Sequence, residues 1–261
     1  MLKIGQRNGV VFAEGSIGNL RPHVFVYVVD GMLIDTGPQK LEAELAEFYT
    51  SQDFNQVVLT HSHEDHSGTA AWMRERGVPV YLWESGIDAC KEEADYPQYR
   101  QDMWGLRQPF AAVPLKNTVV SDTTVWDVVH TPGHSPNHVC LLNQDTGTLF
   151  SGDLYLSTKV KVLMKDESVP VMMQSIRKVL SLDFEDLYCS HAGYVPEGRQ
   201  HLKRKLVFME ELSGEILQLY HKGWTISEID KQMFPQKPPI VAYSAGEFDT
   251  VHIVSSVVEN A

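Results

Sequence analysis

The chain has little that would tie it to a membrane, a polyanion or an oxidising compartment. No apolar run approaches the ~18 residues that a membrane span requires, so no membrane association is expected. Basic residues are the scarcer charge, with 22 Lys and Arg against 34 Asp and Glu and a net charge of -12. A nucleic-acid partner, which would select a basic face or stripe, is therefore not expected. Cysteine is sparse too: Cys90, Cys140 and Cys189 are an odd number without a Cys-x-x-Cys pair, each among apolar neighbours that suit a buried small hydrophobe. No positively charged start leads into an apolar signal segment, and with the cysteine usage this gives the expectation of a reduced, cytoplasmic setting. Low-complexity tracts and solenoid-length repeats are absent. What remains, at 261 residues and 43% hydrophobic, is an ordinary globular composition able to bury one substantial core and hold a site rigidly.

Against that background one stretch organises the chain. Thr60-His61-Ser62-His63-Glu64-Asp65-His66-Ser67-Gly68 follows the strand-like run Gln56-Val57-Val58-Leu59 and packs four potential metal ligands into six residues. In an extended segment residues i, i+2 and i+4 share a side, so His61, His63 and Asp65 are expected to converge while His66 turns the other way. That arrangement suits two adjacent metal ions. Imidazole nitrogens and carboxylate oxygens are ligands that zinc takes at about 2.0–2.2 Å, and a hydrolytic site needs them together with an open position for water.

The rest of the chain reads as short strands and helices. Val10 to Ala13, His23 to Val29 and Met32 to Ile34 form an opening meander that ends in Asp35-Thr36-Gly37-Pro38. Leu41 to Tyr49 predicts a one-faced helix, Val57 to Thr60 a buried strand, Gly68 to Arg76 a helix and Val78 to Trp83 another strand. From Asp95 to Pro114 aromatics and prolines alternate without a period, which predicts an irregular cap; Trp104 is its candidate substrate wall, and a homodimer contact is the other reading. Val119-Val120, Thr124 to Val129, His138 to Leu142 and Thr148 to Ser151 form a second set of strands, with His134 in one turn and Asp153 after another. Val169 to Leu182 predicts a helix, and Asp186 to Ser190 a strand running into His191. Beyond Arg199 a long amphipathic helix and a second one, opened by the capping pattern Thr225-x-x-Glu228, carry no ligand cluster.

Asp35, the His61 to His66 cluster, His134, Asp153 and His191 thus all stand at strand ends. In this pattern the chain resembles the metallo-β-lactamase-fold hydrolase superfamily, over about residues 1–195. The resemblance implies an α/β, four-layer αββα sandwich, with residues 1–198 as the catalytic domain and 199–261 as a C-terminal helical extension. It implies two zinc ions, with iron or manganese as alternatives. One would take His61, His63 and His134, and the other Asp65, His66 and His191, with Asp153 bridging and Asp35 orienting a ligand histidine. His138 is not a ligand in the family and is expected to be a satisfied structural histidine. Glu64, between ligands, is expected to point away and solvate or cap the loop.

Such a centre is a hydrolase's equipment: a hydroxide shared by two metals attacks an acyl carbon, and Asp65 shuttles the proton. The expected reaction is cleavage of an ester, thioester or lactone of a small molecule, in the manner of the glyoxalase-II-like and lactonase-like branches. Tyr155 is a candidate oxyanion donor, and Lys159 with Lys161 a candidate grip on a substrate carboxylate. A sulfur dioxygenase with a single iron on His61, His63 or His134 and Asp153 is the alternative on the same fold. β-Lactamase or nuclease action is less favoured, for want of a signal segment and a basic groove.

Overall fold

The computed structural model describes residues 2–17 and 22–260. Its first sheet has seven strands paired in chain order: β1 (Lys3–Arg7), β2 (Val10–Ser16), β3 (His23–Val29), β4 (Met32–Ile34), β5 (Gln56–Val58), β6 (Val80–Leu82) and β7 (Val113–Pro114). Then come β8 (Thr118–Val120), β9 (Val125–His130), β10 (Val139–Asn143), β11 (Thr148–Gly152), β12 (Leu163–Met164), β13 (Leu187–Cys189), β14 (Gly193–Val195) and β15 (Phe248–Asp249). Six of these make the second sheet in the order β14-β13-β11-β10-β9-β8, and β12 pairs with β15. The α-helices are α1 (Glu42–Thr50), α2 (Glu64–Ser67), α3 (Ala70–Glu75), α4 (Ile87–Lys91), α5 (Gln98–Trp104), α6 (Val169–Leu180), α7 (Gly198–His221), α8 (Ile226–Met233), α9 (Pro239–Tyr243) and α10 (Val251–Val258).

The period-2 alternation of the strands builds four layers, because apolar residues lie on both faces. In β3, Phe25 and Tyr27 point between the sheets and meet Phe150 and Tyr188 of the second sheet, whereas Val26 and Val28 point outward under Leu45 and Phe48 of α1 and Met73 of α3. In β10, Val139 and Leu141 face inward while Cys140 and Leu142 face outward under Met172 and Ile176 of α6. Leu202, Met209 and Ile216 of α7 and Ile253 of α10 join that same outer cluster, so the chain after residue 198 packs on the second sheet. No helix among the described residues is long and apolar enough to cross a membrane.

Several elements differ from expectation. β1 is polar and largely exposed, and offers no alternation to read. The segment expected to be an irregular cap contains α5, which buries Trp104, and β7, an edge strand whose Pro114 needs no ladder donor there. The residues 251–258 fold as α10, burying Ile253, Val254 and Val257. The capping box at Thr225 and Glu228 is present as expected.

Strand direction sets where the site lies. β4, β5 and β6 are parallel, and so are β11 and β13; β9 and β11 each run antiparallel to β10 and therefore share a direction. Their carboxyl ends gather at one edge of each sheet, where loops carry function in such sheets. Val139 N donates to Thr60 O at 2.8 Å and Phe25 N to Ser190 O at 2.8 Å, tying the two edges together.

Candidate metal centre

The loops at that edge bring all the candidate ligands together. Three groups have ligand atoms within 4.8 Å of one another: His61, His63 and His134; His61, His66 and Asp153; and Asp65, His66 and His191. Asp153 lies between the other two sets, with Oδ1 3.4 Å from His66 Nε2 and Oδ2 3.4 and 3.3 Å from the Nε2 atoms of His134 and His191. One expectation needs correction. His63 is extended, but Glu64 starts the helical turn α2, so Asp65 does not continue the alternation and instead joins His66 on the side of His191, 3.2 Å from its Nε2.

The imidazoles are aimed by their outer nitrogens. His66 Nδ1 donates to Asp35 Oδ2 at 2.8 Å, His191 Nδ1 to the carbonyl of His23 at 2.6 Å, and His61 Nδ1 to Thr60 Oγ1 at 3.1 Å. His134 Nδ1 donates to Glu167 Oε1. Each bond fixes a tautomer and turns the Nε2 lone pair inward, the way metal-ligating histidines are held. Asp35 is the hub: besides His66 it accepts from Thr60 N at 2.7 Å and Ser190 Oγ at 3.0 Å, joining both sheets. Its φ of 57° is left-handed, which Asp tolerates better than most residues.

The inward atoms fit a cation. His66 Nε2 and Asp153 Oδ1 are buried without a hydrogen-bond partner, a costly condition that a metal ion would relieve. Burial opposes charge on His66, yet the carboxylates of Asp153, Asp35 and Asp65 hold its pKa well above the usual imidazole range. Burial likewise opposes ionisation of Asp153, but His191 and His66 keep its pKa well below the carboxylate range. His61 and His63 are pushed the other way, by burial and by neighbouring imidazoles. The cluster therefore keeps Asp153 ionised and His61 and His63 neutral, while the raised pKa of His66 records the excess negative charge that a bound cation would balance.

A family model described as the metallo-β-lactamase superfamily matches residues 21–191, a span that contains every one of these ligands. The chain belongs to that superfamily. Among curated relatives, the probable metallo-hydrolase YybB of Bacillus subtilis is 27% identical over 132 residues, covering 50% of this chain and 59% of its own. An atrochrysone carboxyl ACP thioesterase of Aspergillus fumigatus is 29% identical over 198 residues, covering 71% of this chain and 55% of its own. The chain thus spans little more than half the length of these curated relatives. The metallo-β-lactamase family protein TTHA1429 of Thermus thermophilus superposes with a TM-score of 0.75 at 20% identity, covering 98% of this chain and 95% of its own, which shows the shared fold. TTHA1623, crystallised in a di-iron-bound form, has a TM-score of 0.57 at 26% identity, covering 72% of this chain and 96% of its own.

Within this metallo-β-lactamase fold the remaining expectations divide. His138 is not aimed at the cluster: its Nε2 accepts from Asp153 N at 3.0 Å and its Nδ1 donates to Thr131 Oγ1 at 2.8 Å, so it fixes the backbone of Asp153. Burial pushes its pKa down to about 3, which keeps that acceptor free. Gly152 has φ 47°, and a Cβ there would stand 2.6 Å from His138 Nε2. Trp104 and Lys159 line a cavity of about 420 Å³ above the ligands, with the Trp104 ring centroid 6.3 Å from that of His191. Tyr155 does not: its ring is buried in the outer core and its hydroxyl meets His201 Nδ1 at 3.0 Å, which removes the observation that would make it an oxyanion donor. Glu64, expected at the solvent, is only 3% exposed. Arg100 of α5 grips it with two 2.6 Å bonds and reaches Glu247 at 2.9 Å.

Glu167 was not legible beforehand, since nothing in Asp166-Glu167-Ser168 marks it out. Its Oε2 accepts from Met164 N at 2.7 Å while Oε1 holds His134, so it sets the aim of one ligand. Glu167→Ala is expected to lower metal affinity about 10–100-fold, the usual cost of losing such a partner. Competition against a chromogenic chelator checks this, and unchanged affinity would dismiss the role.

Proposed function

We propose that this protein is a dinuclear zinc hydrolase that cleaves an ester, thioester or lactone of a small molecule. The observation that carries the reading is the convergence of His61, His63 and His134, and of Asp65, His66 and His191, on either side of Asp153, with the Nε2 atoms of His61, His66, His134 and His191 turned inward. Metal ions bound there would supply a water of lowered pKa and an electrophile for a carbonyl oxygen. The chain's own groups do the rest. Asp65, at the cavity floor, accepts a proton from the attacking water and returns it to the leaving alkoxide or thiolate, giving the acid with the alcohol or thiol, or the hydroxy acid from a lactone. Tyr99, Trp104, Val160 and Phe248 line walls that exclude water and receive an apolar acyl or leaving group. The likeness to a probable metallo-hydrolase and to an acyl-carrier thioesterase supports this class of reaction.

Elemental analysis of the purified protein is expected to find about two zinc per chain. A panel of thioesters, lactones and β-lactams then identifies the acyl class. Dialysis against a chelator is expected to cut turnover at least about a hundredfold, with recovery on adding zinc, because such ions supply several kcal/mol of transition-state stabilisation. One iron per chain, oxygen uptake and no hydrolysis would instead select the dioxygenase. That second reading is favoured by one grouping: His61, His66 and Asp153 form a two-histidine, one-carboxylate set.

A further inference from the structure

Helix α7 turns Leu202, Lys205, Met209, Leu212 and Ile216 toward the protein interior, so a lysine occupies a core-facing position. Its side chain is only 3% exposed, and no carboxylate lies within ion-pair distance among the described residues. Nζ donates to Leu154 O at 2.7 Å and Tyr155 O at 2.8 Å, the two residues after Asp153. An ammonium has three donors, and these carbonyls take two. Lys205 also lines the cavity above the candidate metal centre, beside Leu163 and Met172. The nearby acids are engaged elsewhere, Glu167 by His134 and Met164 N, and Asp153 by the histidines. Cys189 Sγ accepts from His191 N and Ala192 N. A buried cation without a counter-ion is costly, and a helix that only needed packing would place an apolar residue here.

We propose that Lys205 is the anion contact of this cavity, so that the substrate is an apolar acyl compound bearing a carboxylate apart from the bond that is cleaved. The inference rests on the hydrolase reading for the word substrate, while the anion contact itself is tested without turnover. The rim lysines Lys159 and Lys161 are solvent-exposed and lack the desolvation that makes a charged hydrogen bond strong.

The probes are 2-(sulfanylmethyl)-3-phenylpropanoate and its primary amide, titrated calorimetrically into the metal-loaded protein. Sulfur engages the metal in both, so their difference reports the carboxylate. Wild type is expected to prefer the carboxylate about tenfold or more, as for a hydrogen bond to a charged group. In Lys205→Met the preference is expected to fall to within about twofold, with amide affinity unchanged. A preference that survives in K205M, or is absent from wild type, overturns the proposal. So does equal loss for both probes, which is the mark of a structural role only. If K205M does not fold, the lysine ε-carbon NMR signal of wild type is followed against pH, since burial brings this ammonium down to about 8. The carboxylate probe is expected to raise that midpoint and the amide to leave it in place; no movement overturns the proposal. An inert substrate panel alongside an intact carboxylate preference would sink the hydrolase reading and leave the anion contact standing.

Discussion

Arg100→Ala is expected to destabilise the protein by about 3–5 kcal/mol, the range for removing one partner of a buried ion pair. The pair qualifies: the side chain of Glu64 is 4% exposed and that of Arg100 14%. Truncating Arg100 strands the Glu64 carboxylate beside Asp65, and burial already raises the pKa of Glu64 despite the guanidinium. Urea denaturation measures the loss. The variant combining Glu64→Leu, Arg100→Met and Glu247→Gln is expected to recover most of it, because the penalty comes from the uncompensated charges more than from a missing attraction. A loss below about 1 kcal/mol for Arg100→Ala would mean that water reaches Glu64 freely, as for a surface pair.

Asp35→Asn is expected to cost about 10–100-fold in metal affinity, with the loss concentrated on the candidate site of Asp65, His66 and His191. The substitution keeps the shape of the side chain and exchanges one acceptor oxygen for a donor. Thr60 N, Ser190 Oγ and His66 Nδ1 all present hydrogens to this carboxylate, so an amide leaves at least one facing another donor. If His66 responds by moving its proton to Nε2, it can no longer offer that lone pair inward. Metal stoichiometry after dialysis against a weak chelator is expected to drop by about half, with one ion retained at His61, His63 and His134. Retention of both ions at wild-type affinity would remove Asp35 from the account.

The parts of this molecule that were legible in advance share one property: they are local. Strand β3 is a continuous apolar run closed by the turn signal Asp30-Gly31, so its bounds match the expected His23 to Val29, and the cluster from His61 to His66 lies within a short stretch of chain. The later ligands stand at strand ends, where topology forces a meeting that the order of elements already implies. Illegible features depend on partners remote in sequence. Glu64 reads as a solvated acid until α5 delivers Arg100 across 36 positions, and α5 itself is obscured by flanking prolines and aromatics without period. Lys205 looks like one more charge on an amphipathic helix, because only packing reveals that its side of α7 is covered. Tyr155 misled for the converse reason: proximity to Asp153 in sequence says nothing about which side of the sheet its ring takes.

The cavity's floor and its walls have different origins in the chain. The floor is made by strand ends shared by the two sheets, whereas Trp104, Ile240 and Phe248 reach it from α5 and from the last stretch of the molecule. Substitutions in the upholstery of α5 and the last stretch can therefore reshape the cavity while leaving the anvil of strand ends alone. The Glu64–Arg100–Glu247 bridge limits that freedom, because it fastens both upper pieces to the very turn that carries the ligands. A change of wall that loosens the bridge would reach the candidate ligands after all.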